Sequence, residues 1–106
     1  MTQPSNVASV GWIVNRAEAR GLLADCLAEY RVRSYGELLR LLGAQETREV
    51  VGPSGVTYQL EFQALWDDQA LGHLRVCGAI DAGGWRAFVP LTDDFIVDPG
   101  GRFIGE

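Results

Sequence analysis

The sequence predicts an α+β fold in which two N-terminal helices pack on one face of an antiparallel meander sheet. Two observations support this prediction. Apolar residues recur at helical spacing up to residue 42, and from residue 56 onward they alternate with polar residues. Such alternation is typical of strands that bury one face and expose the other, as antiparallel sheets do. The two helices are the predicted elements available to cover the apolar face.

The first helix is predicted over residues 15–32. Asn15 is a favourable N-cap, and Glu18 stands three residues later, where it can complete a capping box. The apolar stripe of this helix comprises Ala19, Leu22, Leu23, Cys26, Leu27 and Tyr30. Residues 1–14 contain proline, serine and glycine and are expected to form a flexible lead-in. A single α+β domain is therefore predicted over residues 15–106.

A second, shorter helix is predicted over residues 35–42. Ser34 and Glu37 repeat the capping-box spacing, and Gly43 is a favourable residue just past a helix end. Because the link between the two predicted helices is short, we expect them to be neighbours.

The strand from Val56 to Trp66 shows the cleanest alternation. Its predicted inward side chains are Val56, Tyr58, Leu60, Phe62, Ala64 and Trp66. Glycine-rich or aspartate-rich turns are predicted at 52–55, 67–72, 81–84 and 98–101.

Keeping every apolar side chain on one face suggests a register for the sheet, because a slip of one residue would reverse the faces. It pairs Trp66 with Leu74 and Leu60 with Ile80. For the next strand it pairs Ile80 with Trp85, Val76 with Val89 and Leu74 with Leu91.

Composition limits the classes of function. The chain has 106 residues, the length of one domain, and 14 acidic against nine basic residues give it a net charge of −5. All nine basic residues are arginines and they form no cluster, which argues against nucleic acid and anionic membranes as partners. Two cysteines without CxxC spacing, and the lack of a signal-peptide pattern or an apolar run of about 20 residues, lead us to expect a cytoplasmic protein.

Few residues suited to catalysis are present. His73 is the single histidine, and Cys77 lies four residues further along the same predicted strand. That separation is about 13 Å at strand rise, whereas a nucleophile and its base must approach to about 3 Å. We therefore predict no catalytic residue and no cofactor.

The polar face of the predicted sheet is the first candidate binding surface. It combines charged, amide and aromatic side chains, a mixture found at protein interfaces. The candidate residues are Glu61, Gln63, His73, Arg75, Arg86 and Phe88. The alternative is an ordinary solvated face whose charges pair across strands, for example Glu61 with Arg75 or Arg86.

Two other sets of residues allow a site. A pocket between sheet and helices would be lined by Tyr30, Tyr58, Trp66 and Trp85, although the same residues are also suited to the core. A hard cation such as Mg²⁺ would be held by Asp67, Asp68, Asp93 and Asp94, although aspartate is also common in turns.

The second part of the chain resembles a family of small bacterial domains of unknown function. The resemblance covers roughly residues 34–106 and lies in the runs 58–61, 66–68, 74–76, 80–88 and 90–96. It implies a self-contained bacterial cytoplasmic domain and brings no activity or catalytic residues with it. The order of helices before a curved sheet is also similar to cystatin-like and nuclear-transport-factor-like cups, at the level of fold alone.

The sequence therefore favours a non-enzymatic binding module that acts on another protein or on itself as a homodimer. The alternative is a small ligand-binding cup or enzyme with an acidic or tryptophan-lined site.

Overall fold

The described residues form an α+β fold, as predicted, in which the helices precede a five-stranded antiparallel sheet. In this computed structural model the described residues are 4–82 and 90–106, with side chains described for 16–82 and 90–106. No helix within this described part of the chain is both long and apolar enough to cross a membrane.

Helix α1 spans Pro4–Arg31, so the predicted start at Asn15 is wrong and residues 4–14 belong to the helix. Proline is tolerated in the first helical turn, because the N–H that it lacks would have no partner there. The glycine at position 11 and the β-branched residues near it each cost about 1 kcal/mol or less inside a helix. Residues with helix penalties this small do not end a helix. For this reason the composition of residues 1–14 led to a wrong prediction of where α1 begins.

The apolar stripe predicted for α1 is confirmed. Ala19 and Tyr30 have no exposed surface, and Leu23, Cys26 and Leu27 are buried between them. The stripe faces the sheet, so α1 supplies most of the helical layer.

Helix α2 is a single turn, Tyr35–Leu38, and a 3₁₀ turn, Leu39–Leu41, follows it. The predicted capping box is present, because Ser34 Oγ accepts from the Glu37 N–H and the Glu37 carboxylate accepts from the Ser34 N–H. Leu38 and Leu41 are buried, so the short segment closes the core beside α1.

The sheet is an antiparallel meander in which each strand pairs with the next along the chain. Its strands are β1 (Glu46–Val51), β2 (Thr57–Trp66), β3 (Leu74–Asp81), β4 (Leu91–Val97) and β5 (Phe103–Ile104). The predicted register of β2 with β3 is confirmed, with Trp66 opposite Leu74 and Leu60 opposite Ile80.

The predicted register of β3 with the following strand is wrong by six residues. Ile80 lies opposite Leu91 instead of Trp85, and the other observed pairs are Val76 with Phe95 and Leu74 with Val97. A shift by an even number of residues keeps every side chain on its face, so one-sided alternation does not distinguish the two registers. The strand that was predicted to pair here includes residues 85–89, which lie outside the described residues.

Alternation along β2 divides the sheet into two faces, as predicted. Tyr58, Leu60 and Phe62 have no exposed surface, whereas every intervening side chain on β2 is exposed. The Tyr30 ring lies 4.6 Å from the Phe62 ring, which joins α1 directly to the sheet. Burying one side chain of this size stabilises a fold by about 1.5–3 kcal/mol.

Gly78 allows α1 to approach the sheet closely. A Cβ atom at this position would lie 2.9 Å from both Leu23 Cδ1 and Phe62 Cε1. Any larger residue at position 78 would therefore force the side chains of Leu23 and Phe62 to move.

Glu18 ties α1 to the turn between β1 and β2. Its carboxylate accepts hydrogen bonds from the Ser54 N–H at 2.8 Å, the Ser54 hydroxyl at 2.6 Å and the Tyr58 hydroxyl at 2.8 Å. Burial alone would raise the pKa of Glu18, but these hydrogen bonds outweigh it and lower the pKa below its ordinary value. Gly52 lies so close that a Cβ there would meet the carboxylate.

Arg31 ties the other end of α1 to the last hairpin. Its guanidinium lies 5.0 Å from the centre of the Phe95 ring and 4.8 Å from that of Phe103, within cation–π range. The same guanidinium pairs with the Glu106 carboxylate at 2.6 Å. The helix is thus held at both ends of its contact with the sheet.

Replacing Glu18 with glutamine is expected to destabilise the protein by about 1–3 kcal/mol near neutral pH, because hydrogen bonds to a charged acceptor are lost. The pKa of Glu18 is lowered by folding, so its contribution is present above the unfolded pKa and is lost as the pH falls through the folded pKa. Urea unfolding from pH 7 down to pH 3 should therefore show the difference between wild type and Glu18→Gln shrinking toward acid.

Glu61→Gln is the matched control for this experiment, since Glu61 is exposed on the sheet. Its effect on unfolding should stay within about 0.5 kcal/mol. A difference between wild type and Glu18→Gln that does not change with pH would contradict the assigned role of the carboxylate.

Candidate functional site

The sheet face opposite α1, called here the open face, is the candidate site. On β2 it carries five side chains that are all exposed: Thr57, Gln59, Glu61, Gln63 and Leu65. On β3 it carries Arg75, Cys77, Ala79 and Asp81, the first three of which are half-buried between their neighbours. The open face therefore contains polar residues along its rim and small residues along its centre.

A groove of about 420 Å³ runs over β3 on this face. Cys77 and Ala79 form its floor, Glu61 and Gln63 form the β2 wall, and Asp94 lies on the β4 side. The floor is low because cysteine and alanine are shorter than the Glu61 and Gln63 side chains beside them on β2. Thr92, Asp93 and Gly78 complete the lining.

The groove continues toward the far end of β3. A second cavity, of about 190 Å³, shares Glu61 and Ala79 with the first and extends it to Gln59, Asp81 and Pro90. The two cavities together form one channel parallel to the strand, which we call the β3 groove.

The charge of the β3 groove is predominantly negative. Glu61 stands at its middle, Asp94 at one end and Asp81 at the other. Glu49 lies beside Gln59 on β1 and accepts a hydrogen bond from it at 2.9 Å. Within the described residues, the side chains of Glu61 and Gln63 make no hydrogen bond or ion pair, so both are available to a partner.

Arg75 is the described cation beside the Cys77 end of the β3 groove, and its neighbours are acidic. Its guanidinium bonds to Asp67 Oδ1 at 2.6 Å and to Asp94 Oδ2. These bonds, to Asp67 first and then to Asp94, raise the pKa of Arg75. A pairing of Glu61 with Arg75 was one option for a solvated face, but the described partners of Arg75 are Asp67 and Asp94.

The four aspartates proposed as metal ligands do not converge. Asp94 lies opposite Cys77 with its side chain on the open face, whereas the side chain of the next residue, Asp93, alternates to the helix-covered side of the sheet. The Asp68 carboxylate accepts hydrogen bonds from the N–H groups of Gln69 and His73. These bonds lower the pKa of Asp68, and the bond from Gln69 contributes most. Among residues 16–82 and 90–106, no three His, Cys, Asp or Glu side chains form a cluster able to hold a metal ion.

His73 lies beside this turn rather than in the groove. Its Nδ1 stands 3.6 Å from Asp68 Oδ2. Cys77 is four residues further along the chain, about 13 Å away at strand rise. The described geometry therefore does not bring this histidine and this thiol together as base and nucleophile.

The tyrosines proposed as pocket residues lie in the core. Tyr30 and Tyr58 have no exposed surface, and their hydroxyls donate to Glu46 and Glu18. Burial is the main cause that raises the pKa of each tyrosine to about 12, and the neighbouring carboxylate is the second cause. Trp66 is half-buried at the end of β2.

Of the surface residues predicted from the sequence, Glu61 and Gln63 line the β3 groove, and Arg75 lies beside it. Arg86, Phe88 and the pocket candidate Trp85 lie outside the described residues. The groove floor was missed by sequence reasoning. The pattern that points to it is the pair of small residues, Cys77 and Ala79, at consecutive open-face positions of β3.

Cys77 is a half-buried thiol on the groove floor. Burial raises its pKa, and the nearby Asp94 carboxylate raises it further. The thiol therefore stays protonated at neutral pH, and its surroundings do not activate it as a nucleophile.

Comparison with known proteins returned no match, whether against protein-family models, among curated proteins or among solved structures. Membership of the family that residues 34–106 resemble therefore remains a prediction.

Alkylation by iodoacetamide at pH 8 should be slow at Cys77 and slower still at Cys26, which is only 6% exposed. Asp94→Asn should accelerate labelling of Cys77, since it removes a charge that raises the thiol pKa. Mass spectrometry of the two cysteine peptides measures both rates. Asp25→Asn, on α1, should leave the Cys77 rate unchanged, and labelling of Cys26 before Cys77 would contradict the placement of the two thiols.

Proposed function

We propose that this protein is a non-enzymatic binding module that engages another protein through the open face of its sheet. The observation that carries the proposal is the β3 groove, a channel on a face that no described element covers, with Glu61 and Gln63, both without a described partner, in its wall. Binding between proteins is strengthened when the centre of the interface is concave and partly desolvated and polar side chains surround it.

The surroundings of the groove favour binding over catalysis. The floor thiol is protonated, the nearby arginine is paired with two aspartates, and the described histidine lies beside a turn. These groups are held in ways that suit recognition, since none of them is poised to transfer a proton or attack a substrate.

A homodimer through the same face is the alternative to this proposal. In such a dimer the carboxylates of Glu61 and Asp94 would face those of the second copy or lie close to them. Like charges brought together at an interface cost free energy. A different protein with a complementary surface is therefore favoured as the partner.

Site-specific photocrosslinking in the native cells tests the proposal. A photoreactive phenylalanine analogue replaces Gln63 in the groove wall or, as the matched control, Asp25 on the exposed side of α1. The proposal predicts an adduct with a different protein at position 63 and none at position 25. Ala79→Trp, which fills the groove floor, should remove the adduct.

Three results would overturn the proposal. One is the absence of an adduct at position 63, and another is an equal adduct at both positions. The third is an adduct of twice the chain's own mass, which would show a second copy on this face. Circular dichroism of each variant establishes that it is folded before the comparison is made.

A further inference from the structure

We propose that the β3 groove binds an extended segment of its partner in which arginine or lysine recurs at every second position. This inference rests on the proposed function, because it identifies the chemistry of the partner for the same face. It is carried by the shape of the groove together with the spacing of the carboxylates along it.

The groove has the dimensions of a single extended chain. Its walls are β2 and β4, which flank β3 at one strand spacing each, so they stand about 10 Å apart. The lining extends from the row containing Cys77 to the row containing Asp81, four residues along the strand and about 13 Å. A helix with its side chains is about 10–12 Å wide, too wide to reach the floor between side chains on both walls.

The carboxylates occupy successive rows of the groove. Asp94 lies level with Cys77, Glu61 lies level with Ala79, and Asp81 ends the strand. Consecutive rows on one face are two residues, or about 6.6 Å, apart. An extended peptide places alternate side chains on one side with this same spacing, so its basic residues can lie level with Asp94 and Glu61 in successive rows.

The charges around the groove favour a basic occupant over an acidic one. Arg75, the cation at one end, is already paired with Asp67 and Asp94 and so offers little attraction to an anion. Glu49 adds a further carboxylate beside the opposite end. Basic side chains entering the groove would keep their charge and pair first with Glu61, whose carboxylate has no described partner, and their aliphatic stems would cover Ala79 and Cys77.

Fluorescence anisotropy with two labelled hexapeptides tests the inference directly. One peptide alternates arginine with serine, and the other has the same composition arranged as three arginines followed by three serines. The alternating peptide should bind more tightly, and its affinity should fall steeply as salt is raised to about 0.5 M. Equal binding of the two peptides, or no binding of the alternating one, would overturn the inference.

Variants locate the binding on the groove. Glu61→Gln should weaken binding of the alternating peptide about twofold to fivefold, the usual range for one exposed ion pair. Glu61→Arg should weaken it further, because it adds repulsion. Asp25→Asn removes the same charge from α1 and should leave the affinity unchanged, so an equal loss in this control would show nonspecific attraction and overturn the inference.

The two proposals fail in different ways. A groove-specific crosslink at position 63 together with no binding of the alternating peptide would overturn the basic segment and leave the protein-binding face intact. The lack of any crosslink at position 63 would overturn the face itself, whatever the peptides do.

Discussion

The packing of α1 against one face of the sheet is the interaction on which the rest of the structure depends. Side chains alternate along β2 and β3, so one layer of helix buries only every second residue. Tyr58, Leu60 and Phe62 are removed from water in this way, and Gly78 provides the room that α1 needs to reach them. Among the described residues, no element packs on the other face of the sheet, which is left to its own polar side chains or to a partner.

Alternation allowed much of the fold to be predicted from the sequence. The fold class, the buried residues of β2 and the register of β2 with β3 all follow from the rule that apolar side chains share one face. The start of α1 could not be predicted, because a proline in the first turn and a single glycine cost too little to end a helix. The register of β4 could not be predicted either, since a shift of six residues satisfies the same rule.

The candidate site depends on the register of β4 against β3, which could not be predicted from the sequence. Glu61 and Gln63 were identified because they alternate with buried residues, which is a local property. The β3 groove also needs Thr92 and Asp94 opposite Ala79 and Cys77, and that pairing is a property of the assembled sheet. The same pairing explains why Arg75 contacts Asp94, and why two neighbouring aspartates of β4 point to different faces. Small residues on the central strand, flanked by long polar ones, are the sequence pattern that we would use to recognise such a groove elsewhere.

Solvent paramagnetic relaxation measured by NMR tests the central claim most directly, because a soluble gadolinium complex broadens only the protons that it can approach. One helical layer over one face predicts strong relaxation at the side-chain amides of Gln59 and Gln63 and little at the methyl groups of Leu60 and Val76. Comparable relaxation in both groups would show that the apolar face is not covered by α1. Protection of the two glutamines in the isolated protein would show that the open face is already occupied, and either result would contradict the account.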